Sequence, residues 1–247
     1  MQEIADKLVK WLQQQLQLTG MKGLVVGVSG GIDSAVVANL IKRAAPNASL
    51  GVMMPCNSDP QDLIHAQSVV DAAGIDHLTI DVTKSHAVML EEVKEQLTKS
   101  NMFHEENYRL TDANLRARLR MSALYSVASN HNYLVVGTDN AAEWFTGYFT
   151  KYGDGGVDLG PLIHLTKGEV KELAHYLKVP VEVIDKQPSA GLWEGQTDEN
   201  EMGTSYDMID NYLKGNQIPE KDKEIIEQLH NRSAHKRQLP KTPEDFS

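Results

Sequence analysis

The chain has 247 residues, with 24 basic and 34 acidic side chains and a net charge of −10. So acidic a balance disfavours a general nucleic-acid coat and a polybasic membrane anchor, both of which need a positive surface, without forbidding a local basic pocket. At 41% hydrophobic and 23% charged, the composition is that of a globular chain with a sizeable core, not a disordered one.

In chain order, Ile4, Leu8, Leu12 and Leu16 recur at helical spacing and predict an amphipathic helix over 2–17. Leu24 to Val28 is a short β-rich run without alternation, as in a strand buried on both faces of a parallel sheet. A glycine turn and a helix over about 34–45 follow. Leu50 to Met54 reads as a second strand. Asp59-Pro60 offers an N-cap followed by proline at the first helical position, and that helix should end at Gly74. His77 to Val82 reads as a third strand and 84–98 as a helix. Residues 99–110 look irregular. A long helix is expected over about 112–130, and Tyr133 to Val136 as a fourth strand. This alternation predicts an α/β doubly wound, Rossmann-like parallel sheet in a single domain over 1–247.

Beyond it, 151–164 reads as a glycine-rich loop. Thr166 and Glu169 form a capping-box pattern opening a helix to about Leu177. Val181 to Ile184 reads as a fifth strand. The polar stretch 187–201 is expected to be a mobile loop, with Trp193 inside it. Two short helices, about 203–214 and 220–231, should close the structure. Cys56 is the single cysteine, so no intramolecular disulfide is possible and a reducing compartment fits. No apolar run nears the ~18 residues of a membrane span, and residues 1–18 carry acids and glutamines where a signal peptide is apolar. A cytoplasmic protein with no nucleic-acid or membrane partner is expected.

Ser29-Gly30-Gly31-Ile32-Asp33-Ser34 lies at the carboxyl end of the first strand, where such sheets bind ligands. Adjacent glycines let backbone N–H groups converge on an anion, the two serines add hydroxyls, and the following helix adds its positive end. No lysine follows the glycines as in the GTPase phosphate loop, and the dinucleotide spacing is absent. Asp33 beside a phosphate cradle is unfavourable without a cation between them, and Mg²⁺ fits that need. In the usual strand order Thr138 and Glu143, after the fourth strand, should lie near Asp33, and a second carboxylate there would complete a magnesium site.

The hexapeptide resembles the pyrophosphate loop of the ATP-pyrophosphatase superfamily, whose members cleave ATP between the α and β phosphates. The later segments narrow the resemblance. They are Gly137-Thr138-Asp139-Asn140-Ala141-Ala142-Glu143, Lys151-Tyr152-Gly153-Asp154-Gly155-Gly156, Pro188-Ser189-Ala190-Gly191-Leu192-Trp193 and His235-Lys236-Arg237. In this order they look like the ammonia-dependent NAD synthetases, over nearly the whole chain. The resemblance implies conversion of deamido-NAD, ATP and ammonia into NAD, AMP and pyrophosphate through an adenylated carboxylate, by a homodimer. Position by position it implies ATP contacts from Gly27, Val28, Ser29, Gly30, Gly31, Ile32, Asp33, Ser34, Thr138, Lys167 and Ser189. It implies Mg²⁺ at Asp33 and Glu143, with Lys167 completing the catalytic set. Arg118, Lys151, Asp158, His235 and Lys236 are implied for deamido-NAD, with Arg116 and Arg120, one helical turn apart and flanking Arg118, as alternatives to it.

Chemistry leaves two candidates, Asp154 and Asp158, to take the proton from ammonia. Cys56 has no glutaminase context, so free or delivered ammonia is expected. A different ligase of the superfamily, acting on a nucleotide or tRNA, and a nucleotide sensor without catalysis are the competing readings. The acidic balance opposes tRNA.

Overall fold

A computed structural model describes residues 1–189 and 197–244. In chain order the elements are α1 (Gln2–Thr19), β1 (Gly23–Gly27), α2 (Ile32–Ala44), β2 (Ser49–Met53), α3 (Pro60–Ala73), β3 (Asp76–Thr79), α4 (Thr83–Lys99) and α5 (Tyr108–His131). Then come β4 (Tyr133–Val136), α6 (Ala141–Thr146), α7 (Lys167–Leu177), α8 (Val181–Ile184), α9 (Asp198–Met202), α10 (Tyr206–Leu213) and α11 (Glu220–Arg232). Single 3₁₀ turns occupy Glu105–Asn107 and Ala234–Arg237.

The strands form one parallel sheet in the order β3-β2-β1-β4. The order reverses at β1, so the crevice between β1 and β4 is the topological switch point. β1 is buried on both faces. Leu24 and Val26 pack with α1, α2, α3 and α7 on one side. Val25 packs with Leu124 and Ala128 of α5 on the other. A third cluster joins Ala142 of α6 to Met202, Tyr206, Ile209, Ile226 and Leu229. The doubly wound expectation therefore holds.

Local signals explain most boundaries. Asp59 caps α3 by accepting from the Gln61 N–H (2.8 Å), Pro60 fills the first position, and Gly74 ends the helix at φ +60°. Thr166 and Glu169 close the expected capping box on α7. Asp158 and Leu159 donate backbone N–H groups to Val135 O, which brings the end of the 151–158 loop against β4.

Three expectations change. Val181 to Ile184 is not a fifth strand but the short helix α8. Pro180 enters it with an acceptor carbonyl that takes both Val183 N and Ile184 N, closing a turn. Val183 and Ile184 bury against the helical layer, away from any sheet edge. Helix α5 begins at Tyr108 rather than about 112, because the Asp112 carboxylate pairs with Arg116 (2.6 Å) and His86 (2.9 Å) instead of capping a helix. The stretch 187–201 ends in helix α9, capped by Thr197. The mobile loop expected there, with Trp193, otherwise falls on 190–196, outside the described residues.

Candidate active site

After β1 the backbone runs one more step along the sheet, Val28 N donating to Val52 O (2.9 Å), and then turns. Two hydroxyls shape the turn. Ser34 donates to Gly31 O (2.9 Å) and accepts from Ser29 N (3.2 Å), while Gly31 N donates to Ser29 Oγ (3.2 Å). Gly30 sits at φ +79°, and a Cβ there would lie 2.5 Å from the Asp62 carbonyl of α3. Glycine is required both by the dihedral and by the close approach of α3. Gly31 then opens α2, leaving the loop amides and the helix N-terminus on the crevice.

Three charged side chains from distant segments meet beside this loop. Lys167 Nζ, from the first turn of α7, lies 2.6 Å from Asp33 Oδ2 and 3.4 Å from Glu143 Oε1. Asn140, fully buried, caps α6 and donates from its amide to Asp33 Oδ1 (2.9 Å). The Tyr206 hydroxyl lies 3.0 Å from Glu143 Oε1 and 2.9 Å from Asp198 Oδ2. The far end of α6 is held from downstream: Arg237 donates to Trp144 O (3.2 Å) and Phe145 O (3.0 Å), and His230 Nδ1 reaches Phe145 O (2.9 Å).

The electrostatics follow from crowding acids in a poorly solvated place. Burial pushes the Glu143 carboxyl up to about 7; Lys167 draws it down, and Asp33 and Asp198 push it further up. Asp139 is raised well above the usual carboxylate range by burial and then by Asp154, Glu143 and Asp33. Burial works against the Lys167 ammonium, but Asp33 and Glu143 overcome it and hold its pKa above the ordinary value.

These groups open onto a cavity of about 810 Å³. Of residues 27–34 all but Gly30 face it, as do Thr138, Glu143, Lys167, Ser189 and Lys236. Lys236 spans to the loop before it, donating to Gly147 O (2.7 Å) and Phe149 O (2.6 Å). Arg118, Lys151 and His235 lie together but off the cavity wall: Arg118 Nε donates to Lys151 O (3.4 Å) and Lys151 Nζ to His235 O (2.6 Å). Asp158 lies apart, its two oxygens accepting from Tyr125 OH (2.9 Å) and Val135 N (2.8 Å). Asp154 does line the cavity, its Oδ1 accepting from Thr150 N (2.9 Å). Of the neighbouring arginines, Arg116 pairs with Asp112, whereas Arg120 reaches the cavity wall and holds Met54 O (2.9 Å) and Ser58 Oγ (3.2 Å).

The donor set suits a hard divalent cation. Among the described residues no group of three or more His, Cys, Asp or Glu is arranged to hold a metal alone. Two converging carboxylates are what Mg²⁺ takes from protein when phosphate oxygens and water complete its shell.

Asn140, Tyr206 and Asp198 belong to the site without having been given a role from sequence, and Arg120, named only as a neighbour of Arg118, reaches the cavity wall. Asn140 had a local signal, since Asn140-x-x-Glu143 is itself a capping-box spacing.

A model of the NAD synthase family matches residues 4–240. The NH3-dependent NAD(+) synthetase of Alkaliphilus oremlandii (strain OhILAs) is 57% identical over 242 residues, covering 98% of this chain and 97% of the relative. The solved structure of NMN synthetase from Francisella tularensis superposes with a TM-score of 0.90 at 42% identity, covering 98% of each chain. The NH3-dependent NAD synthetase of Campylobacter jejuni superposes with a TM-score of 0.78 at 27% identity, covering 98% of this chain and 99% of that one.

Proposed function

The chain belongs to the NAD synthase family, and from that premise we propose that it amidates deamido-NAD with ammonia, at the expense of ATP, to give NAD, AMP and pyrophosphate. The observation that carries the reading is the meeting of Asp33, Glu143 and Lys167 over the glycine loop at the switch point.

Ammonia does not displace oxide from a carboxylate. The nicotinate oxygen therefore attacks the α-phosphorus of ATP, pyrophosphate leaves, and ammonia then displaces AMP from the acyl carbon. The first step is catalysed by positioning and charge neutralisation. Residues 27–34 hold the phosphates through loop amides and the α2 N-terminus, with Thr138 and Ser189 on the same wall. Lys167 neutralises charge as it develops on the phosphates. Mg²⁺ held by Asp33 and Glu143 would supply further charge neutralisation on the departing pyrophosphate. Arg118, Lys151, Asp158, His235 and Lys236 are assigned to deamido-NAD, with Lys236 the one on the cavity wall. Asp154, accessible from the cavity, takes the proton lost by the attacking ammonia.

A second reading has one observation in its favour, the likeness to the Francisella tularensis protein, which is named an NMN synthetase. It makes nicotinate mononucleotide the acceptor, with the same carboxylate and chemistry but without the adenylyl half. Incubation with Mg-ATP, ammonium chloride and each acceptor in turn separates the two. A kcat/KM larger for deamido-NAD is the expected result, one larger for the mononucleotide selects the second reading, and ADP in place of AMP overturns both.

The proposed assembly is a homodimer. Helix α4 leaves Val88, Met89 and Val93 exposed at 71%, 48% and 42%, a face suited to a second copy. Sedimentation at micromolar concentration is expected to give twice the chain mass, and monomer alone would refute the assembly. The proposed setting is the cytoplasm, where the buried thiol of Cys56 stays reduced.

A further inference from the structure

Resting on the reading that Asp33 and Glu143 hold the divalent cation, we infer that Asn140 is a positioning residue that selects which oxygen of each carboxylate faces that cation. Asn140 is fully buried and every part of it is used. Its Oδ1 accepts from Ala142 N (3.0 Å) and Glu143 N (3.1 Å), starting α6. Its Nδ2 donates to Asp33 Oδ1 (2.9 Å), across 107 residues of sequence. Its backbone N–H donates to Glu143 Oε2 (3.1 Å). One residue thus occupies one oxygen of Asp33 and one oxygen of Glu143. The two oxygens that Asn140 leaves, Asp33 Oδ2 and Glu143 Oε1, are the pair that face the Lys167 ammonium, Glu143 Oε1 also taking the Tyr206 hydroxyl (3.0 Å), so the positive charge already sits where these oxygens converge.

The residue type follows from the task. A cap needs an acceptor, and Asp, Ser, Thr or Asn supplies one. Asp33 needs a donor, which an aspartate lacks, while setting a second negative charge against it. A serine offers one short oxygen for both duties. The asparagine amide has an acceptor and a donor on opposite sides of one planar group, and the cap fixes which side turns toward Asp33. Such outer-sphere partners hold ligating groups in place for a metal. Were Asn140 only a helix cap, its loss would cost stability and leave cation affinity alone.

The test measures Mn²⁺ binding by electron paramagnetic resonance on the full chain, with α,β-methylene-ATP present, so that neither turnover nor the identity of the acceptor enters. Asn140→Ser and Asn140→Gly both keep residues tolerated at an N-cap and both remove the amide donor. Ser205→Ala is the control, since it deletes the cap that Ser205 Oγ gives Met208 N on α10. Mn²⁺ affinity is expected to fall about 10- to 100-fold in both Asn140 variants and to stay at the wild-type value in Ser205→Ala. Wild-type affinity in the Asn140 variants, or an equal loss in the control, overturns the inference. Failure of the wild-type protein to bind Mn²⁺ overturns the underlying cation assignment instead.

Discussion

Lys167→Met is expected to lower kcat about 10²- to 10³-fold while the chain keeps its fold. The side chain begins α7 at a position methionine tolerates, and the backbone bond from its N–H to Asp210 Oδ1 (3.1 Å) does not need the ammonium. What goes is a fixed positive charge beside the phosphate loop, and a preorganised contact of this kind is worth about 3 kcal/mol of barrier. The same variant has a signature in stability. Glu143 titrates at about 7 in the folded protein against an ordinary 4.5. A raised carboxyl stabilises the fold fully below its ordinary value, and that contribution is lost as pH climbs through the folded value. Ligand-free wild-type protein should therefore lose stability between about 4.5 and 7 from this group. Lys167 draws the Glu143 value down, so its removal shifts the window to higher pH. Urea unfolding across that range, beside steady-state kinetics, checks both. An unchanged kcat would remove Lys167 from the chemistry, and an unshifted window would contradict the electrostatic account.

Asp154→Asn should separate the two half-reactions. Adenylation needs no proton acceptor for ammonia, so exchange of labelled pyrophosphate into ATP in the presence of deamido-NAD is expected to persist. Formation of NAD should fall by about 10² or more, the usual worth of a positioned base. Asp154 is preferred to Asp158 because it opens onto the cavity, whereas both oxygens of Asp158 are occupied by Tyr125 and the β4 backbone. Burial raises the Asp154 carboxyl, against the Thr150 N–H that stabilises its charge, and a more basic carboxylate suits proton capture. Parallel loss of exchange and product in Asp154→Asn would make it a binding residue. A selective loss of product in Asp158→Asn alone would transfer the role.

Much of the site was legible because its signals are local. The buried strand, the double glycine and Asp33 lie within a dozen residues, and backbone sterics and helix-end electrostatics dictate what they do together. The capping box of Thr166 and Glu169 likewise placed Lys167 at a helix start. What escaped were choices made by tertiary context. Val181 to Ile184 has the β-branched composition of a strand, but Pro180 and the burial of Val183 make it a helical turn. Asp112 has the residue type of an N-cap and is engaged by His86 and Arg116 instead. Tyr206 and Asp198 carry no periodicity that would mark them, since they matter only through folding back onto Glu143. Arg116, Arg118 and Arg120 of α5 are alike in sequence and are sorted only by what stands opposite each: Asp112, the Lys151 carbonyl, and the Met54–Ser58 loop.

The six-residue helix that carries Glu143 has its last carbonyls gripped by Arg237, over ninety positions downstream. Synthesis runs from the amino end, and early segments fold while later ones are still being assembled. A nascent polypeptide thus displays the whole sheet and the glycine loop before the ribosome has supplied the clamp. The helix that carries Glu143 therefore gains its far-end support only once that arginine has emerged.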